Sequence, residues 1–554
     1  MPPFLLGINM PGAVSAGAYT AGVLDFLMEA LDAWYAAKTA GQPVPTHEVS
    51  LEVFSGASAG GMCAAIASVM VQGEFDHIHD ATATGTSNRF YESWVNKIDI
   101  RELLGTDDLE GGGPVVSLLD STIVDEIAAY ALQPGNQKPR RYISPHLTLF
   151  LTLTNLTGIP YAFDQMAGIA QEGTLFHTDR LRFETVEPGK APSLPIAKPL
   201  PLGQPDQGAW GLLREAAKAT GAFPIFLAPR ILERDRTDYD VPMWESVNPH
   251  VRKNGQIAPA WPAGMGAKFR TLNVDGGVID NDPFDLAHDY LACLNVARNL
   301  ATAANENPRE MTEANAAVIT VAPFPSTFKF NGCPTMAGGE VGKALGSLAS
   351  VLITQSRFFG ESLALMLDPR NSSRFMISPS DDTLPAGQPA LQCASLGAFG
   401  GFFDRKFRAH DFLLGRRNCQ WFLRTQFVLP ETNPLIGAGL AGLSAERKAS
   451  FAVPPEHGKA ASTGLTLYPI IPLVTPELEK PIPAPLRERM GLAALDDIVT
   501  LIYERGRAVI PALAKNLPFF PRFGLDAADR IIGLFGLGKE ELRELLTKEL
   551  GDSI

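Results

Sequence analysis

Within its first 70 residues the chain states one phrase twice: a short apolar run, a glycine-containing turn, then a helix-like stretch. The first instance is "PFLLGI" (3–8), the loop "NMPGAVSAG" and "AYTAGVLDFLMEALDAWYAAK" (18–38). In that last stretch Val23, Leu24, Leu27, Met28, Leu31, Trp34 and Tyr35 recur at helical spacing. The second instance is "VSLEVF" (49–54), a turn around Ser58, and the alanine-rich "AGGMCAAIASVMV" (59–71). Repeated strand–turn–helix units constrain the chain to an α/β fold with a mainly parallel central sheet.

The rest of the chain continues that grammar before changing character. Further strands are expected at 146–156, 268–274 and 315–323, and helices over about 116–132, 209–220, 283–304 and 340–367. Six prolines in 186–208 mark a long surface excursion, expected to lie over a site. A second proline-rich span, 429–486, is expected to separate the core from a helical tail, 487–554. At 554 residues the chain exceeds one ordinary core. The expected division is an α/β unit over 1–325, a helical segment packed on it over 326–428, and a linker with tail over 429–554.

Composition removes several function classes. An apolar fraction of 45% with 19% charged residues describes a globular protein. A net charge of −13 argues against nucleic-acid binding, which needs a basic surface, and leaves only transient contact with an anionic membrane. The five cysteines (63, 293, 333, 393 and 419) are odd in number and form no CxxC pair. They make neither a disulfide framework nor a zinc site, and read as inert buried thiols of a reducing compartment. With no signal-peptide pattern at the N-terminus, a cytoplasmic location is expected. The nearest approach to a membrane span, 344–367, is broken by Gln355, Arg357 and Glu361.

Chemistry concentrates where the second phrase turns. Gly56-Ala57-Ser58-Ala59-Gly60 is a GxSxG match, a weak signal alone because its residues are common. Its place between a strand and a helix is what a nucleophile elbow demands, the alternative being a plain βα turn. A serine hydroxyl needs a base, and the best candidate is Asp275 in "TLNVDGGVIDNDPFDLA", at a strand end and followed by Gly276 and Gly277. Asp280, Asp282 and Asp285 read as turn and helix-start residues. The loop 11–17, with Gly12, Ala13 and Val14, can supply backbone donors beside Ser58, since neighbouring parallel strands bring their C-terminal ends together. That loop lacks the Gly-Lys-Ser/Thr ending of a phosphate-binding loop and does not fit GxGxxG.

These three pieces in this order resemble the patatin-like phospholipases: a glycine-containing loop (Gly12 to Gly17), a GxSxG serine (Gly56 to Gly60), and a late Asp-Gly-Gly (Asp275 to Gly277). "VIDNDP" after Asp275 and "AAKATGAFPIF" (216–226) are similar to the family's patterns at those places, so the resemblance covers roughly residues 4 to 290. It implies a three-layer patatin-like fold and a serine lipid acyl hydrolase of phospholipase A or esterase type. It further implies a Ser58–Asp275 dyad without histidine, Gly56 and Gly60 supporting the elbow, no cofactor and no metal. The family's loop commonly carries an arginine where this chain has Ala16.

Two other readings stand beside it. An α/β-hydrolase triad has the chain order Ser, Asp, His, which Ser58, Asp275 and His410 obey. His410 lies in the basic stretch "DRKFRAHDFLLGRRNCQWF" (404–422), which also reads as a solvated basic face or as a contact for phosphate headgroups. On the headgroup reading, replacing Arg416 and Arg417 is expected to impair hydrolysis of anionic phospholipid more than of a small ester. The second alternative is a non-catalytic lipid-binding or scaffold protein, to which the altered loop lends weight.

Overall fold

The computed structural model describes residues 1–110, 114–135, 137–164, 171–194, 196–251, 257–298, 306–324, 365, 368, 370–385, 387–516 and 538–554. The two opening phrases fold as read. β1 (Phe4–Met10) leads through a loop into α1 (Gly17–Thr39), and β2 (Val49–Gly56) turns into α2 (Ser58–Met70). With β3 (Ile143–Asp164), β4 (Gln171–Val186), β5 (Lys198–Pro201), β6 (Arg230–Asp235), β7 (Lys268–Asp275), β8 (Ala316–Val321) and β9 (Arg374–Ile377), these strands form a nine-stranded sheet. Its path runs β5-β4-β3-β2-β1-β8-β9, with β7 pairing β3 and β6 pairing β7. The β3–β2–β1–β8–β9 run is wholly parallel, while β4, β6 and β7 pair antiparallel at one side.

Alternate residues of the parallel strands feed two cores, giving three layers. Leu5, Val53 and Val318 pack on helix Phe284–Ala297, whereas Leu6, Ile8 and Phe54 belong to the larger core with α1 and α2. The long helix Arg405–Thr425 lies against α1 in that larger core. Two glycines permit the approach: a Cβ on Gly22 would stand 1.9 Å from the Phe412 carbonyl oxygen, and one on Gly415 2.2 Å from that of Tyr19.

Several expectations need correction. The helix expected over 116–132 begins only at Thr122, because Leu118 and Leu119 are committed outside a helix, donating their N–H groups to the Ile225 and Phe226 carbonyls. The excursion 186–208 does not cover the site; it contributes β5, which caps the sheet edge beside β4, and its Pro201 carbonyl accepts from Trp210 Nε1. The span 429–486 is no linker, since Leu429, Ile436, Leu467, Ile470 and Leu473 are buried in the main core. β10 (Val428–Pro430) and β11 (Leu467–Pro469) pair there as a small separate sheet. The tail supplies helices Leu492–Asn516 and Lys539–Leu550, which pack Leu495, Ile498, Leu542 and Leu546 against Ile98, Leu103, Leu119 and Phe226. The expected helix over 340–367 and Cys333 lie outside the described residues, Leu365 apart. Cys63, Cys393 and Cys419 are buried as expected, whereas Cys293 is only half-buried. Among the described residues no helix is long and apolar enough to cross a membrane.

Candidate active site

β3 is the element that assembles the site. β2 runs parallel to its first half and ends with Gly56 opposite Leu151. β7 runs antiparallel to its second half and ends with Asp275 opposite Leu153. The ends of β2 and β7 therefore abut on one edge of a third strand, opposite residues two apart, and this brings Ser58 and Asp275, 217 residues apart in sequence, together. β1 ends level with β2, Met10 opposite Gly56, so the loop 11–17 opens into the same crevice.

The elbow itself is strained. Ala57 is extended (φ −126°, ψ 147°), and Ser58 follows at φ 53°, a left-handed conformation uncommon for a residue with a side chain. The turn is possible because the first turn of α2 lies directly on the exit of β1. A Cβ on Gly60 would stand 1.9 Å from the Met10 carbonyl oxygen, and one on Gly56 2.7 Å from that of Gly60. Larger residues there would push the elbow out of its crevice.

Ser58 Oγ donates to Asp275 Oδ2 at 2.5 Å. The other oxygen, Oδ1, accepts the Gly277 N–H at 2.7 Å, and the Asp275 N–H donates to the Ala222 carbonyl at 3.0 Å. Gly276 sits so tightly on β3 that a Cβ would meet the Thr152 carbonyl oxygen at 2.2 Å. Asp275 is only 3% exposed, and burial raises its carboxyl pKa to about 7, against the lowering effect of the Ser58 and Gly277 hydrogen bonds. A carboxylate that is a feeble base in water thus becomes one matched to neutral pH.

Of the three loop residues, Gly12 is not an available donor, because its N–H is taken by the Asn281 carbonyl at 3.1 Å. Its lack of a side chain matters instead, since a Cβ would lie 2.1 Å from Asn281 Oδ1 and 3.0 Å from Ser58 Cβ. Val14 opens a short 3-10 turn at φ 49°, with Ala13 as its N-cap. Val14 and Ala59 occupy first-turn positions whose N–H groups have no intrahelical acceptor, and both line the cavity that contains Ser58. That cavity encloses about 590 Å³, mouth included, and its walls are apolar: Met62, Trp94, Phe223, Phe226, Phe399 and Phe402 among them.

Sequence reasoning missed several of these partners. Thr220 Oγ1 accepts the Ser58 N–H at 2.9 Å, and Asn281 braces both Gly12 and Gly277. Asn281 is the asparagine of the Asn-and-Pro pattern that the resemblance covers, though its bracing role has no local signal; Thr220 lies in 216–226 and nothing local marks it. Phe399 and Phe402 carry no sequence signal at all.

The triad and headgroup readings of 404–422 do not survive. His410 is buried on helix Arg405–Thr425 with Nδ1 2.7 Å from Asp411 Oδ1, and it does not line the Ser58 cavity. The stretch is not a solvated face either. Arg416 is buried against Asp25 and Glu29, and Arg408 donates to the Val95, Gly401 and Phe402 carbonyls and to Asp99. Arg417 pairs with Asp382, away from the cavity. Removing one member of a buried pair leaves an uncompensated charge, at a cost of about 3–5 kcal/mol. Arg416→Ala is accordingly expected to lower the melting temperature and to reduce hydrolysis of anionic phospholipid and small ester alike. Selective loss on the phospholipid, at unchanged stability, would contradict this.

Residues 10–288 match the family model described as Patatin-like phospholipase, and the chain belongs to that family, one of lipid acyl hydrolases. Among relatives, the protein y4iI of Sinorhizobium fredii, described as uncharacterized, is 33% identical over 570 residues, spanning 93% of this chain and 76% of that protein. The crystal structure of VipD from Legionella pneumophila aligns with 99% of this chain and 91% of its own at 10% identity. Its TM-score is 0.22, a likeness too low to bear on fold or function.

Proposed function

We propose that this protein is a serine lipid acyl hydrolase, cleaving acyl esters of phospholipid or related lipids through a Ser58–Asp275 dyad and an acyl-enzyme. The observation that carries the reading is the 2.5 Å contact between Ser58 Oγ and a buried Asp275 at the head of an apolar cavity. Asp275 Oδ2 takes the hydroxyl proton as Oγ bonds to the ester carbonyl carbon. The carbonyl oxygen becomes an oxyanion facing the N–H groups of Val14 and Ala59. The ester C–O bond then breaks, and Asp275 returns its proton to the departing alcohol. A water, deprotonated by Asp275, attacks the acyl-enzyme and releases the fatty acid, and Ser58 regains its proton. The acyl chain lies along Phe223, Phe226, Phe399 and Phe402, where burial is worth about 0.8 kcal/mol per CH₂.

An active-site-directed fluorophosphonate tests the nucleophile. Wild type is expected to be labelled and Ser58→Ala not; labelling that persists in the alanine variant, or a wild type that neither labels nor hydrolyses p-nitrophenyl butyrate, would sink the reading. The second outcome would favour a binding protein.

Transient docking on a lipid surface belongs to the same proposal. Val116, Ile225 and Val278 are exposed large apolar residues next in sequence to segments that form the site. Val116→Asp with Ile225→Asp is expected to reduce hydrolysis of phospholipid vesicles at least several-fold while sparing p-nitrophenyl butyrate. Equal rates on vesicles before and after the change would remove this part.

A further inference from the structure

We propose that Ser15 is a positioning residue: it clamps the loop 11–17 to residues 398–401 and so sets where the Val14 N–H points. The proposal rests on the Ser–Asp reading above. Val14 holds a left-handed φ of 49°, which is costly for a β-branched residue and persists only where the surroundings impose it. Between Pro11 and Gly17, Ser15 carries the single polar side chain. It is 0% exposed, its Oγ donates to the Ala398 carbonyl, and the same oxygen accepts the Gly401 N–H at 3.2 Å. One hydroxyl thus uses both its donor and its acceptor capacity on one distant segment.

That segment is itself unusual. Leu396, Gly397 and Ala398 are consecutively left-handed, at φ 52°, 62° and 77°. Its far end is fixed by the buried Arg408, whose Nη1 donates to the Gly401 and Phe402 carbonyls at 2.7 and 3.2 Å. The remaining guanidinium nitrogens donate to the Val95 carbonyl and to Asp99 Oδ2. Two strained turns are therefore joined through one buried hydroxyl and anchored on a helix of the chain's second half. The same segment places Phe399 and Phe402 in the cavity wall. The oxyanion loop and the acyl wall are positioned by one piece of chain more than 380 residues beyond the loop.

Two variants of the full-length chain approach the clamp from opposite sides. Ser15→Ala deletes the hydroxyl; Gly401→Ala keeps it but places a Cβ 2.5 Å from Ser15 Oγ and 2.6 Å from Cys393 Cβ, wedging the two segments apart. Each is measured for kcat and KM on p-nitrophenyl butyrate, for inhibition by a long-chain trifluoromethyl ketone, and for binding of oleate. The ketone binds as a serine hemiketal whose oxyanion needs the loop donors; oleate needs only the apolar wall. The expected result is a fall in kcat of about 10²-fold, the size of effect that misplacing a reacting group or losing one oxyanion donor brings. KM and oleate affinity should stay within about threefold, and ketone inhibition should weaken in parallel with kcat. Should either variant not fold, the other carries the reading, and Ser15→Thr, which keeps the hydroxyl, is expected to retain more kcat than Ser15→Ala. A folded variant with kcat within threefold of wild type, alongside an inactive Ser58→Ala, would overturn the clamp and leave the dyad standing. Equal losses on ketone and oleate would also overturn it, as those of a general structural residue. A fully active Ser58→Ala would overturn the dyad and the clamp with it.

Discussion

Ser58→Ala, Asp275→Asn and the double variant are expected to lose kcat/KM on a soluble ester by nearly the same factor, at least about 10³-fold, because groups that act as one unit are lost together. The reason is the geometry: Asp275 Oδ2 touches Ser58 Oγ directly, so there is no relay whose other members could keep part of the effect. His410→Ala is expected to keep kcat/KM within about tenfold, a barrier change of roughly 1.4 kcal/mol. His410 lies on helix Arg405–Thr425, its Nδ1 engaged by Asp411, which in turn accepts the Gln392 and Cys393 N–H groups. The comparison requires circular dichroism spectra that match wild type. A well-folded His410→Ala protein as inactive as Ser58→Ala would return the triad, and additive losses in the double variant would mean that Ser58 and Asp275 act separately.

How much of this was legible in sequence depended on whether the signal was local. The elbow was, because GxSxG between an apolar run and an alanine-rich helix is contained within 20 residues. Asp275 was marked by Asp-Gly-Gly at a strand end. What brings them together is not local: the register of β2 and β7 on β3 is set by pairing, and no pattern in "HLTLFLTLTNL" announces two partners on one edge. The basic stretch 404–422 misled for a related reason. Arginines look solvated until their acids are known, and Asp25, Glu29 and Asp99 lie more than 300 residues away. Proline content likewise signalled a linker at 429–486, whereas Ile436 and Ile470 are fully buried there. On the antiparallel side β7 was expected, but β4 and β6 were not: in "RILERD" Arg234 is buried on Asp179 while Ile231 is exposed, so the apolar alternation that marks a strand is broken.

The second large effect concerns pH, and it sets activity against stability. With its pKa raised to about 7, Asp275 acts as a base only when deprotonated. So kcat/KM is expected to rise about tenfold per pH unit below that value and to level off above it. Stability runs the other way. The folded state holds the Asp275 proton more tightly than the unfolded chain, where the carboxyl returns to its ordinary value of 3.8. Between those values the unfolded state binds fewer protons, so this group's contribution to stability is fully present below pH 3.8 and is lost as pH rises through 7. At 1.36 kcal/mol per unit, the loss by pH 8 is on the order of 4 kcal/mol. Asp275→Asn has no charge to bury, and its amide keeps an oxygen for the Gly277 N–H while offering its nitrogen to Ser58 Oγ. The inactive variant is therefore expected to be more resistant to urea than wild type at pH 8, with the advantage shrinking as the pH approaches 4. Urea midpoints across that range check the prediction alongside the kcat/KM profile. A variant less stable than wild type at pH 8, or a kcat/KM flat from pH 5 to 8, would mean that Asp275 is already charged throughout and that burial does not tune it.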